Sequence, residues 1–126
     1  MWVEVAPGWT LSFDRGPDWL FVRINPPEHG DTHEIPLAES VWERLDQSFT
    51  YRVVVEMDEV GVLRSWLIGE LVKLHLRIAS QDGLLRLSGL CNRSQEILEI
   101  MQLADRFPQY RSRTDAVMGN RPLQPR

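Results

Sequence analysis

Hydrophobic and polar positions change period several times along the chain. From Trp9 to Asp14, Trp9, Leu11 and Phe13 fall on one face and Thr10, Ser12 and Asp14 on the other. A period of two predicts a half-buried strand. Arg15-Gly16-Pro17-Asp18 is turn chemistry. Trp19 to Ile24 then predicts a second strand, so the pair forms an antiparallel hairpin, and Met1 to Val5 adds a short edge piece. From Leu37 to Ser48 the period lengthens: Leu37, Val41 and Leu45 recur every four residues. That is an amphipathic helix. Tyr51 to Met57 predicts a strand whose apolar run, Val53-Val54-Val55, suits coverage on both faces. Trp66 to Ser80 is helical again, with Leu67, Leu71, Leu74 and Ile78 as its stripe and Ile68, Val72 and His75 widening it. Here His75 reads as a helix-flank residue with a local partner.

Leu84 to Leu87 predicts another short strand after Gly83. Asn92 or Ser94 caps the next helix, with Gln95 three residues after Asn92 as a capping-box partner. Its predicted inward face is Ile97, Ile100, Met101 and Ala104, and Pro108 marks the stop. Gln109 to Arg113 reads as a last edge strand and Thr114 to Met118 as a helical turn. Strand–helix–strand units imply parallel neighbours joined by right-handed crossovers. The predicted fold class is therefore α/β: a mixed sheet of four or five strands with flanking helices. It forms a single domain over residues 1–118, followed by a flexible tail over 119–126.

Composition narrows the function classes. At 126 residues, with 43% hydrophobic and 25% charged side chains, the chain fits one ordinary globular domain. The net charge of -4 argues against a nucleic-acid partner. Residues 1–60 carry four basic and twelve acidic side chains; residues 61–126 carry ten and six. Cys91 is the only cysteine, which excludes an intramolecular disulfide and a cysteine-rich zinc site. The N-terminus lacks the basic and apolar regions of a signal peptide. No stretch reaches the roughly 20 apolar residues of a membrane span. A cytoplasmic location is expected, with no membrane insertion.

Candidate chemistry is sparse. There is no nucleophile elbow, no phosphate-binding glycine loop and no zinc-protease motif. Neither an enzyme nor a bound cofactor is expected. The loop Pro26 to Pro36 places His29 and His33 among Glu28, Asp31 and Glu34. Imidazole and carboxylate suit several divalent ions, but no helix fixes their geometry, and the loop reads as solvated. Ser65 is more distinctive. It stands where the chain leaves a strand and a helix begins, between Arg64 and Trp66. A serine there can cap the helix. The same place stabilises an anion through free N–H groups and the helix dipole.

The segment from "VVVEMDEVGVLRSWLIGELVKLHLRI" through "GLLRLSGL" to "QEILEIMQLADRFPQY" resembles a STAS domain, the fold of bacterial anti-anti-sigma factors. The likeness covers roughly residues 37–118. It rests on the order and spacing of the strand, the loop to Ser65, the following helix and the terminal region. The resemblance implies partner switching. A serine at this helix start is phosphorylated by a kinase that is also an anti-sigma factor, and the unphosphorylated form binds that ATPase. Ser65 falls on the phosphoacceptor position, and Glu56 where the family usually carries aspartate. The usual pattern is Asp-Ser-Ser-Gly-Leu-Gly; here it is Arg64-Ser65-Trp66-Leu67-Ile68-Gly69. The implied partner surface comprises Arg64, Ser65, Trp66, Gly69, Glu70 and Lys73. The alternative is an unphosphorylated STAS adaptor docking on an ATPase or transporter complex, which the changes at Arg64 and Trp66 favour. Trp66 is equally consistent with an interface anchor and with core packing.

Overall fold

The computed structural model describes residues 1–28 and 34–119. Six strands form one sheet in sequence order: β1 (Trp2–Ala6), β2 (Trp9–Arg15), β3 (Leu20–Asn25), β4 (Arg52–Glu56), β5 (Leu84–Ser88) and β6 (Gln109–Tyr110). The pairs β1–β2 and β2–β3 are antiparallel, and β3 through β6 are parallel. The expected four or five strands become six, because both the Met1–Val5 segment and the short Gln109–Tyr110 pair complete the two edges. Helices α1 (Leu37–Ser48), α2 (Ser65–Ala79) and α3 (Asn92–Ile100) connect the parallel strands, and α4 (Arg113–Met118) follows β6.

Each parallel step moves the same way across the sheet. Right-handed crossovers therefore put α1, α2 and α3 on one face. The main core forms there. Trp9, Leu11 and Phe13 of β2, Val53 and Val55 of β4, and Leu85 and Leu87 of β5 pack with Leu37, Val41 and Leu45 of α1 and the Leu67–Leu71–Leu74–Ile78 stripe of α2. The central residue of the valine run, Val54, points the other way and joins Trp19, Phe21, Tyr110 and Ala116 of α4 in a second cluster. The run is continuous because both faces of β4 are covered.

The second face is held largely by arginines. Arg86 lies over the rings of Trp19 and Tyr110 at 5.0 and 5.5 Å and donates to the Ala116 carbonyl at 2.6 Å. Arg113 lies 4.2 Å from the Phe21 ring and grips the buried Glu56 carboxylate at 2.5 Å and Asp14 at 3.1 Å. Arg23 adds a second contact to Glu56 at 3.5 Å. The bond to Glu56 is the main reason the Arg113 pKa is raised above its ordinary value. A buried carboxylate needs such partners.

The third helix departs from expectation. Its buried side chains are Ser94 and Leu98, whereas Ile100 is 73% exposed and Met101 49%. The chain leaves the helix at Ile100, and Gln102 takes a left-handed φ of 59°. Met101 N–H still bonds to the Ile97 carbonyl at 3.0 Å, but its side chain is exposed; of the expected face, only Ile97 and Ala104 pack against the core. Neither Asn92 nor Ser94 is the cap; Cys91 occupies that position, and Gln95 Nε2 donates to the Leu90 carbonyl at 3.1 Å. The last strand spans only Gln109–Tyr110, because the chain turns into α4 at Arg113. His29, Asp31, His33 and residues 120–126 of the expected tail lie outside the described residues. Among the described residues, no cluster of three or more His, Cys, Asp or Glu side chains could hold a metal, and no helix is long and apolar enough to cross a membrane.

Candidate partner-binding site

The loop between β4 and α2 is built to present its end. Met57 N–H donates to the Ser88 carbonyl at 2.8 Å, and Val60 N–H turns back to the Met57 carbonyl at 3.0 Å. Leu63 is buried and anchors the far side. Its N–H donates to the hydroxyl of Ser94, which is itself fully buried, at 3.0 Å. The same hydroxyl lies 3.4 Å from the Gly61 carbonyl and 3.2 Å from Cys91 Sγ. The bond to Ser94 is the chief cause that lowers the Cys91 pKa. Gly89 completes the anchor. Its φ is +73°, and a side chain there would run into the Asp58 carboxylate. The turn after β5 and the first turn of α3 therefore clamp the loop that leads to Ser65.

Ser65 is the first residue of α2, and the cap is Arg64, in extended conformation with no side-chain cap bond. The expectation that Ser65 caps the helix is corrected: Arg64 takes the half-in position, and its carbonyl accepts from Leu67 and Ile68 N–H at 3.1 Å each. The Ser65 side chain is exposed at a helix start, where early N–H groups lack intrahelical partners. Gly69 and Lys73 follow at four-residue steps and are exposed as well. A Cβ added at Gly69 would meet nothing within 4 Å, so this part of the helix is flat and open.

The other predicted site residues divide. Arg64 is exposed. Trp66 is half-buried and packs edge-to-face on Trp9, with ring centroids 5.6 Å apart. Glu70 turns toward α1, where its carboxylate accepts from Ala38 N–H at 3.2 Å and from Lys73 Nζ at 3.1 Å. The cap of α1 is Pro36, which offers no side-chain bond, so Glu70 supplies one from the neighbouring helix. Glu56 does not reach the loop surface; it is buried under Arg113 and Arg23.

Sequence reasoning missed Val62 and Leu76, which are 52% and 57% exposed. Leu76 carried a usable signal, since it falls outside the stripe of Leu67, Leu71, Leu74 and Ile78. The clamp by Ser94 and Cys91 had no sequence signal, because it joins residues some 30 positions apart.

No protein-family model matches the sequence, and no curated protein matches it in sequence. Solved structures do resemble it. An anti-sigma factor antagonist from Mycobacterium paratuberculosis superposes with a TM-score of 0.72 at 17% identity, covering 92% of this chain and 97% of the other. An anti-sigma-factor antagonist (STAS) domain protein from Planctomyces limnophilus gives 0.71 at 18% identity, covering 86% and 96%. The fold is that of a STAS domain. A variant of the RsbS protein from Moorella thermoacetica matches the same STAS architecture with a TM-score of 0.72 at 14% identity, covering 86% and 92%.

Proposed function

We propose that this chain is a partner-switching module of the anti-anti-sigma type, acting by binding and not by catalysis, with Ser65 as its phosphoacceptor. The observation that carries the reading is the exposed side chain of Ser65 at the start of α2, on a loop clamped from below. An anti-sigma-factor serine kinase or a related ATPase is the partner, and the cytoplasm is the place of action. Arg64, Ser65, Gly69 and Lys73 form the open part of the contact surface. Trp66 and Glu70 border it while also packing against Trp9 and α1. Residues 1–118 act as one unit.

A phosphate on Ser65 adds about -1.5 to -2 charges. The helix start tolerates that charge, and Arg64 stands next to it. The domain stays folded while the positive charge of Arg64 and Lys73 is largely neutralised, which is what a binding switch requires. Incubation with the candidate kinase and ATP, followed by mass spectrometry, tests this. Modification at Ser65 that disappears in Ser65→Ala is the expected result. Partner binding that persists with no modification supports the second reading, a constitutive STAS adaptor on an ATPase or transporter complex. Trp66 favours that second reading, since a large indole stands where the usual pattern has a small serine.

A further inference from the structure

A groove beside Ser65 has a chemistry that a phosphorylation switch does not use. It lies between the end of β3, the β4–α2 loop and the start of α2, with a volume of about 460 Å3. That is within the range of small-molecule sites. Pro26, Pro27 and Val60 give it apolar walls, Trp9 and Trp66 lie against each other in it, and Arg64 is the one charged residue lining it among the described residues. Among the described residues no carboxylate side chain lines it.

Its side chains carry donors and no acceptors among the described residues. Trp9 is 6% exposed, and its indole N–H has no hydrogen-bond partner among the described residues. The indole N–H of Trp66 is shielded and unpartnered in the same way. An indole nitrogen can only donate, and buried donors are seldom left without an acceptor. Both indole nitrogens are themselves covered, so Arg64 is what an entering ligand meets, and a cation beside apolar walls selects for negative charge on an apolar body. We infer that this groove binds a small amphipathic organic acid, its flat apolar part between the prolines and the indoles and its carboxylate held by Arg64. This binding requires neither a protein partner nor a modified Ser65.

The test uses the full chain labelled with 15N and titrated with 1-naphthoate. The chain has five tryptophans, so five indole N–H signals report position. The expected result is saturable shifts of the Trp9 and Trp66 signals, with those of Trp2, Trp19 and Trp42 unmoved. Arg64→Gln weakens the apparent Kd about tenfold, as loss of one charge-assisted bond would, and neutral 1-naphthamide binds as weakly to the unmodified chain. Trp66→Ala removes part of the apolar wall and also weakens binding, read from the Trp9 signal. Absence of saturable shifts, shifts centred on other indoles, or an unchanged Kd in Arg64→Gln overturns the inference. No kinase enters the experiment, so its failure leaves the Ser65 assignment standing, and an unmodified Ser65 leaves the groove assignment standing.

Discussion

Ser65 and Ser94 start from similar places and end in opposite roles. Each lies in the first turn of a helix that follows a parallel strand, and each is a plausible cap by residue type. Ser65 is exposed at the first position of α2. Ser94 is fully buried two residues into α3, and its hydroxyl joins Leu63 N–H, the Gly61 carbonyl and Cys91. Neither caps its own helix. The difference comes from what each helix start faces: α2 opens to solvent, while α3 begins against the β4–α2 loop. The buried serine thereby fixes the loop that holds the exposed one out.

The sharpest way to break this comparison is to remove the buried hydroxyl. Ser94→Ala leaves the Leu63 N–H without its acceptor inside the protein. A buried donor orphaned in this way costs about 2 kcal/mol. For a chain of this size that lowers Tm by about 8 °C, measured by calorimetry. The loop from Asp58 to Arg64 should also lose amide protection from hydrogen exchange. If Ser94→Ala costs no more than Ser65→Ala, the clamp is not what holds the loop.

That clamp also marks the boundary of what the sequence made legible. Period and turn chemistry located β2, α1, β4, α2 and β5 to within about two residues, because each buries a strong apolar face whose phase is set locally. The parallel pairing followed from the strand–helix–strand units. Helix α3 was found but its inward face was half right: Ile97 and Ala104 pack against the core, while Ile100 and Met101 are exposed and Leu98 is buried instead. At the site, Ser65 was legible as the residue at a strand-to-helix junction. The contacts of Ser94 with Gly61 and Leu63, of Glu70 with Ala38, and of Trp66 with Trp9 were not. All join distant parts of the chain through single side chains, and nothing periodic announces them. Glu56 was legible only as a match to a family position; that Arg113 and Arg23 hold it under the second face was not.

A milder change separates the thiol from the hydroxyl within the clamp. Cys91 is exposed and only touches the network through Sγ, 3.2 Å from Ser94 Oγ and 4.0 Å from the Gly61 carbonyl. Thiols are weak donors and acceptors. Cys91→Ala should therefore cost less than about 1 kcal/mol in denaturant unfolding and leave the protection of the 58–64 loop nearly intact. A loss as large as that of Ser94→Ala would move the centre of the clamp to the sulfur.

At the exposed serine, charge should help slightly where truncation does nothing. Ser65→Ala changes stability by less than about 0.5 kcal/mol, as surface substitutions do. Ser65→Asp places a negative charge in the first turn, where the helix dipole stabilises it by about 0.3–1 kcal/mol at low ionic strength. That gain should shrink with added salt. Urea titrations of both variants at two salt concentrations measure it. A clear loss of stability in either would mean that the Ser65 hydroxyl is structurally engaged after all.

The smallest effect belongs to a second contact between α2 and the segment after α3, and it tests whether the clamp acts alone. The His75 ring packs edge-to-face on Phe107, centroids 5.6 Å apart, and Phe107 is fully buried. Burial, and then the positive charge of Arg106, push the His75 pKa below its ordinary 6.5. The unfolded chain thus binds the proton at a higher pH than the folded one. Stability from this site is fully present above about 6.5, and it is lost as pH falls from there through the folded pKa. The ring is partly exposed, so solvent screening keeps the loss small. Melting the wild type and His75→Gln between pH 7.5 and 5.5 should show a slightly steeper fall in the wild type, with the protection of the 58–64 loop unchanged in both. A pH dependence that instead loosened that loop would show the two contacts to be one cooperative unit, and the separation drawn between Ser94 and the rest of α2 would not hold.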